Sequence, residues 1–429
     1  MDAFEKLYSY ICSLEIIDTH EHLPPFEQKQ QNLDILKTYL THYFVRDLIS
    51  AGLKKQHLEK VIDADIDIRQ RWTIVEPYWN AARHTGYGRV LDICCKDLYN
   101  LPEISRSTIQ ELNEKFIQFH SSGNTYQKIL KERSKIAFSI MPCNDDFDKK
   151  FFKTVGWLDY FIFPLNYNDV RYIEKTTGTK ITCFDDWLEA CETSFQKMLN
   201  SGRIGLKTSL AYKRSLYFPR VTRNEAEQDF NRIFFAKKHL VERVDVNAGL
   251  QSSEKFQNYM FHFIMQKANK NHLTVQVHTG LLEGSGNILS NSDPSLLTNL
   301  FIEYPDVCFD IFHIGYPYQN IVGALAKMFP NVWIDMCWTH AISPEASIRA
   351  LVQWIDEVPL NKISGFGGDY AFVDGVYGHQ KLARINIAKA LCKKVKQNVF
   401  GVDRACEIAK MLLVENPGKL FNLEQKGEK

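Results

Sequence analysis

Near the start of the chain, Ile16-Ile17-Asp18-Thr19-His20-Glu21-His22 reads as a β-strand that ends in two histidines. Residues i and i+2 of a strand point to the same face. His20 and His22 are therefore expected to aim two imidazoles at one point, which is half of a transition-metal site. With 13 histidines in 429 residues, one such pair is within what chance supplies, so its meaning depends on the rest of the chain. Four more residues could complete the site: Lys207 within the short apolar run Ile204–Leu210, and, at the ends of such runs, His278 in Leu273–Thr279, His313 in Val307–His313 and Asp369 in Ile363–Asp369. Each alone has a bland reading. A strand-end histidine is commonly a hydrogen-bonded structural residue, Asp369 could cap a helix, and Lys207 could be a snorkelling surface lysine.

What must position these residues is a set of strands. Ile16–His22, Lys135–Met141, Tyr160–Leu165, Ile204–Leu210, Leu273–Thr279, Val307–His313, Val332–Trp338 and Ile363–Asp369 make eight. From the second onward they alternate with helical patterns such as Phe184–Leu199, Asn224–His239, Ser253–Lys270, Ile321–Met328 and Ser347–Val358. Eight parallel strands with crossover helices predict an α/β fold, the (β/α)8 TIM barrel, whose active sites form at the C-terminal strand ends. An open doubly wound sheet competes, but no GxGxxG or P-loop fingerprint is present. Parity agrees with inward polar residues in the fifth strand, where Thr274, Gln276 and His278 share a face, and in the fourth, where Lys207 sits with Gly205 and Ser209. It is silent in the sixth, where His313 shares its face with Phe309 and Ile311.

A plain barrel needs about 250 residues. The excess lies mainly at residues 23–133, between the first and second strands. It reads as a helical insertion capping the barrel mouth, with helices over Asn32–Ile49, Gln56–Val75, Val90–Tyr99 and Ser107–His120. Pro77, Gly86 and Gly88 punctuate an aromatic, basic stretch between Glu76 and Arg89 that is expected to be irregular. Residues 1–429 are expected to form a single domain, with a last helix near Arg404–Leu413.

The composition is that of a globular chain, 45% hydrophobic and 24% charged, with a formal charge of +1. That argues against nucleic acid or an acidic membrane as the main partner. No apolar run approaches a spanning helix, and the acidic N-terminus lacks a signal-peptide core. Ten cysteines without a CxxC pair suit free thiols in a reducing, cytoplasmic setting. The expected partner is a small-molecule substrate, and a homo-oligomer is compatible with the sequence.

The set His20-x-His22, Lys207, His278, His313 and Asp369 resembles the pattern of the amidohydrolase superfamily. Asp18-Thr19-His20-Glu21-His22-Leu23 is similar to the opening of its amidohydrolase-2 and uronate-isomerase branches. Gly205–Tyr212, His278-Thr279-Gly280, His313–Tyr318 and Asn416–Phe421 resemble the amidohydrolase half of nodulin-like, glutamine-synthetase-fused proteins. The resemblance implies a metal-dependent hydrolase cleaving an amide or ester bond of a small carboxylated substrate. It implies a divalent ion, best zinc, on His20, His22, His278 and Asp369, with Asp369 as proton shuttle and His313 as base or oxyanion donor. One ion is favoured, and two if Lys207 is carboxylated. Lys207, Tyr212, Arg214, Arg83 and Tyr316 are the substrate-binding candidates, and His379 could line the mouth. Uronate-type aldose/ketose isomerisation and decarboxylation are the alternatives.

Overall fold

The computed structural model describes residues 2–28, 32–164, 167–234, 253–284 and 286–423. Eight parallel strands follow one another in chain order: β1 (Ile16–Asp18), β2 (Ile136–Pro142), β3 (Phe152–Trp157), β4 (Gly205–Thr208), β5 (Thr274–Val277), β6 (Cys308–Ile311), β7 (Val332–Asp335) and β8 (Ile363–Ser364). Just past the strand ends, Thr19 N donates to Phe366 O at 3.1 Å and Asp369 N to His20 O at 2.8 Å, which joins β8 back to β1. The fold is the expected (β/α)8 arrangement. Helices such as Phe184–Asn200, Glu254–Lys270, Gln319–Met328 and Pro344–Glu357 cover the strands' outer faces. At the N-terminal end, Leu420 and Phe421 plug the barrel against Ile140 and Val155, and Thr274 Oγ1 donates to Leu420 O at 2.5 Å.

The third strand is corrected. It is Phe152–Trp157, and the apolar run expected as a strand at Tyr160–Leu165 instead opens as the short helix Asp159–Ile162; Leu165 lies outside the described residues. A short apolar run does not distinguish a buried strand from a buried helix by periodicity. The helix expected at Asn224–His239 is seen as Arg223–Phe234, and residues 235–239 lie outside the described residues.

Between β1 and β2 the chain runs through the helices Ile35–Leu40, Phe44–Ser50, Lys55–Val61, Ile68–Ala82, Gly86–Tyr99 and Ile109–Ser121. The Glu76–Arg89 stretch, expected to be irregular, is helical apart from a turn at Arg83–Thr85, and its first helix contains Pro77. Trp72, Val75, Trp79 and Ala82 form one buried face there, enough to offset the roughly 3 kcal/mol that an interior proline costs. Gly86 opens the next helix against the turn Thr339–Ile342, where a Cβ would lie 1.9 Å from Ala341 O.

Several contacts tie this helical stretch to the barrel's C-terminal rim. Tyr43 Oη donates to Asp369 O at 2.5 Å, and its ring stacks on Trp338 with centroids 4.4 Å apart. Asp374, at the start of the long helix Val373–Lys396, accepts from Tyr39 Oη at 2.9 Å and Tyr99 Oη at 2.5 Å and meets His120 Nε2 at 2.9 Å. Among the described residues, no helix is long and apolar enough to cross a membrane. The ten cysteines are free thiols.

Candidate metal centre

Past β1, the parity argument holds. His20 Nε2 and His22 Nε2 converge at 3.1 Å. Asp369 Oδ1 lies 3.4 Å from the first and 3.1 Å from the second. Nitrogen and oxygen ligands about 2.0–2.2 Å from one tetrahedral zinc stand roughly 3.3 Å apart. The three edges of this triangle match, so the residues present fit a divalent ion. His20 and Asp369 are buried, whereas the His22 side chain is 48% exposed. Its open side faces a cavity of about 1080 Å³ lined by Glu21, Met141, Asn144, Asp159, Ser209 and Tyr212, among others.

His313 reaches the site by a route that parity could not give. After β6 the backbone turns left-handed at His313 (φ 61°) and Ile314 (φ 52°). Such conformations are costly for non-glycine residues and persist only where the surroundings enforce them. Asp369 (φ 59°) after β8 and Trp338 (φ 59°) after β7 adopt the same conformation. Three consecutive strands thus end in left-handed turns that re-aim side chains at the rim. His313 Nε2 comes to 3.8 Å from Asp369 Oδ2 and 3.1 Å from His278 Nδ1. His278 therefore faces His313, and it is not part of the trio His20, His22 and Asp369.

Gly280, just past His278, is held at φ +71°, and a Cβ there would lie 2.4 Å from the Gly315 carbonyl carbon. Gly280→Ala is expected to lose more than about 1 kcal/mol of stability, read as a lower denaturant midpoint, because it forces the His278 and His313 turns apart.

Burial holds the His20 and His278 imidazoles well below their ordinary range, aided for His20 by Lys207 and for His278 by His313. Burial likewise brings His313 down to about 4. All three are neutral at pH 7, the form that ligates. Burial pushes the Asp369 carboxyl up, but the His22 hydrogen bond and the neighbouring imidazoles of His20, His22 and His313 together outweigh it and hold it well below the carboxylate range. Beneath the site the barrel interior is acidic. Burial raises Asp18 to about 7 and Asp335 to about 6, and raises Glu21 and Asp310 strongly.

Lys207 enters this interior from β4. It is 4% exposed, its Nζ has no hydrogen-bond partner, and it rests 3.6 Å from the centre of the Phe312 ring. Burial lowers its ammonium to about 8. Tyr212 lines the cavity, its hydroxyl accepts from Glu283 N at 3.0 Å, and its ring stands 4.7 Å from that of His278.

The other anion-binding candidates are engaged elsewhere. Arg214 donates to Gln257 Oε1, Asn258 Oδ1 and Tyr217 O and lies over Phe218. Arg83 pairs with Glu103 and Asp92. Tyr316, in a cis bond to Pro317, is outside the cavity lining. His379 is fully buried behind β8, its Nδ1 2.9 Å from Gly368 O. Cys337 and His42 escaped the sequence reading. Cys337 Sγ lies within 4.8 Å of the ligand atoms of His313 and Asp369. His42, between two helices of the β1–β2 stretch, has a buried Nδ1 without a partner, and burial lowers its imidazole to about 4 despite the nearby Asp369. Neither sits in a motif; only the folded chain brings them to the rim.

Residues 245–423 match the amidohydrolase family model Amidohydro_2. Over 152 residues, 35% of this chain, the sequence is 27% identical to Protein fluG of Emericella nidulans, and the match spans only 18% of that protein's length. Two solved structures are similar over nearly the whole chain. Glucuronate isomerase from Caulobacter crescentus is 19% identical with a TM-score of 0.78, covering 99% of this chain and 95% of that one. Uronate isomerase from Thermotoga maritima is 15% identical with a TM-score of 0.79, covering 98% and 97%. At these identities the likeness is one of fold. The segment from residue 245 to 423, which carries His278, His313 and Asp369, is thus similar to the amidohydrolase family, and the chain as a whole shares the fold of these two structures.

Proposed function

We propose that the chain is a metal-dependent hydrolase that cleaves an amide or ester bond of a small carboxylated substrate. The observation that carries this reading is the convergence of His20 Nε2, His22 Nε2 and Asp369 Oδ1 within 3.4 Å of one another, beside a cavity large enough for a small molecule. His20, His22 and Asp369 would hold the ion, for which zinc suits the donor set. When bound, such an ion supplies Lewis acidity toward the scissile carbonyl and a water acidified toward neutrality.

The chain's own groups do the rest. Asp369 is ionised at neutral pH and faces both histidines with one oxygen and His313 with the other. It takes the proton of the attacking water and returns it to the leaving nitrogen or oxygen. Cys337 O fixes the tautomer of His313 by accepting from its Nδ1 at 3.0 Å. This leaves a lone pair on Nε2, so the neutral His313 acts as a base toward the attacking water. Lys207 is the buried cation left for the substrate carboxylate, since Arg214 and Arg83 are engaged elsewhere.

Lys207→Met should raise KM for carboxylated substrates about 10- to 100-fold, the worth of one charge-assisted hydrogen bond, with a smaller change in kcat. The same contact gives a pH dependence. The ammonium is present below about 8 and lost above it, so KM should rise as pH passes that value in the wild type and stay flat in Lys207→Met. An unchanged KM in the variant would remove Lys207 from substrate binding.

The whole-length likeness to two uronate isomerases favours a second reading, in which the same site interconverts an aldose-type uronate and its keto form. Incubating the zinc-loaded protein with γ-glutamyl amides, N-acyl amino acids, carboxylated aryl esters and uronates separates the two. Release of an amine or alcohol is expected; isomerised uronate without cleavage would replace the hydrolytic reading.

A further inference from the structure

The cavity that opens at His22 is large for a small substrate, about 1080 Å³, and part of its wall is aromatic: Trp157, Tyr160 and Tyr172. Strand β3 sets the first of these rings. Val155 faces the barrel interior, where it packs with Leu420 and Phe421. Trp157, two residues on, lies on the same face and ends the strand at the C-terminal rim. It is in register with Lys207 of β4, so both project to the same side of the sheet. Asn144 fixes its backbone: Oδ1 accepts from Trp157 N at 3.0 Å, and Nδ2 donates to Trp157 O at 2.8 Å. Trp157 is nevertheless 46% exposed.

The other two rings come from the chain that follows β3. Tyr160 lies in the short helix Asp159–Ile162 and Tyr172 in the helix Tyr167–Thr177. Their rings stand at 88° with centroids 5.7 Å apart, and Tyr172 is 42% exposed. Large aromatic side chains left open together in a cavity mark a surface that a ligand covers. The polar groups among them are already in use. Asn144 uses both halves of its amide on Trp157, and Asp159 Oδ2 accepts from Ser209 N at 2.7 Å. The charged side chains Asp145 and Lys213 of the lining are exposed to solvent. A uronate carries a hydroxyl on nearly every carbon and would leave these rings uncovered. An aromatic ring finds both faces and edges here, the arrangement in which ring pairs attract.

We propose that Trp157, Tyr160 and Tyr172 form a subsite for an aromatic ring on the arm of the substrate that does not carry the carboxylate. This deepens the hydrolytic reading and rests on it for the bond that is cleaved. The substrate class is then an arylalkyl amide or ester of a small dicarboxylic acid, its free carboxylate toward Lys207 and its ring toward Trp157. Water adds across the bond, its oxygen to the acyl carbon and a proton to the leaving nitrogen or oxygen. The products are a dicarboxylate and an arylalkyl amine or alcohol.

The test compares a flat ring with a saturated ring of the same size, first in binding and then in turnover. Calorimetric titration of the full chain with hydrocinnamate and with cyclohexanepropionate should show the phenyl acid held about 3- to 10-fold tighter. Trp157→Leu and Tyr172→Leu should each bring that ratio toward one. With the zinc-loaded chain, kcat/KM for the monobenzylamide of glutaric acid should exceed that for its cyclohexylmethylamide by a similar factor. Equal binding of the two acids by the wild type, binding of neither, or a preference that both variants keep would overturn the aromatic subsite and leave the hydrolytic reading standing. A phenyl preference in binding that both variants lose, with neither amide cleaved, would overturn the hydrolytic reading and leave the ring subsite.

Discussion

Asp369→Asn should lower turnover by about 10²- to 10⁴-fold, the range for removing a positioned acid–base group. The substitution keeps the shape of the side chain. It removes the negative charge that sits 3.4 Å from His20 Nε2, 3.1 Å from His22 Nε2 and 3.8 Å from His313 Nε2. An amide can neither hold the water proton nor anchor a cation as a carboxylate does. The fall should therefore appear in kcat and be accompanied by weaker metal retention, while the left-handed turn at φ 59° stays in place because asparagine tolerates that backbone. Steady-state kinetics and metal analysis of the same preparation check both. A variant with near wild-type kcat would take Asp369 out of the chemistry.

Arg71→Met should be the most damaging single change among those away from the site, at about 3–5 kcal/mol. Arg71 and Asp34 form a fully enclosed pair, with Nη2 2.6 Å from Oδ2 and Nη1 3.0 Å from Oδ1. The guanidinium also donates to Ile66 O at 2.8 Å and Val61 O at 3.2 Å, tying together three turns of the β1–β2 helical stretch. Methionine fills most of the space but leaves Asp34 as a buried, unpaired charge and orphans two carbonyls. Asp34 also caps Ile35–Leu40 through Lys37 N. That helix leads to His42 and Tyr43 at the rim, so the loss should reach the site. Denaturant unfolding followed by tryptophan fluorescence reads it, since Trp72 and Trp79 pack in the same stretch. A midpoint within error of wild type would mean that the pair contributes nothing net.

How much of this was legible beforehand follows from what local pattern can carry. His20 and His22 were readable because a strand's period of two fixes their common direction. The same rule placed Gln276 inward, where its amide now bonds Thr19 O at 2.9 Å. It was silent for His313, and the reason is that the strand stops at Ile311 and a left-handed turn, invisible to periodicity, swings the ring inward. The long helix Val373–Lys396 was absent from the reading because it is buried on nearly every side and carries Asp374, His379, Gln380, Arg384 and Asn386 among its buried residues. It therefore shows no apolar stripe. Arg83 and Arg214 were plausible anion ligands by type, and only the folded chain shows their partners. Cys337 had no motif at all; its place comes from strand order and a turn at Trp338.

The central claim is that His20, His22 and Asp369 hold a divalent ion. Its most direct measurement is the metal content of the purified full chain after zinc loading and desalting, for the wild type and for the double variant His20→Asn/His22→Asn, with circular dichroism to show that both are folded. The wild type is expected to retain zinc, and the folded double variant to lose the ion held by this pair. A folded double variant that retains as much zinc as the wild type would contradict it.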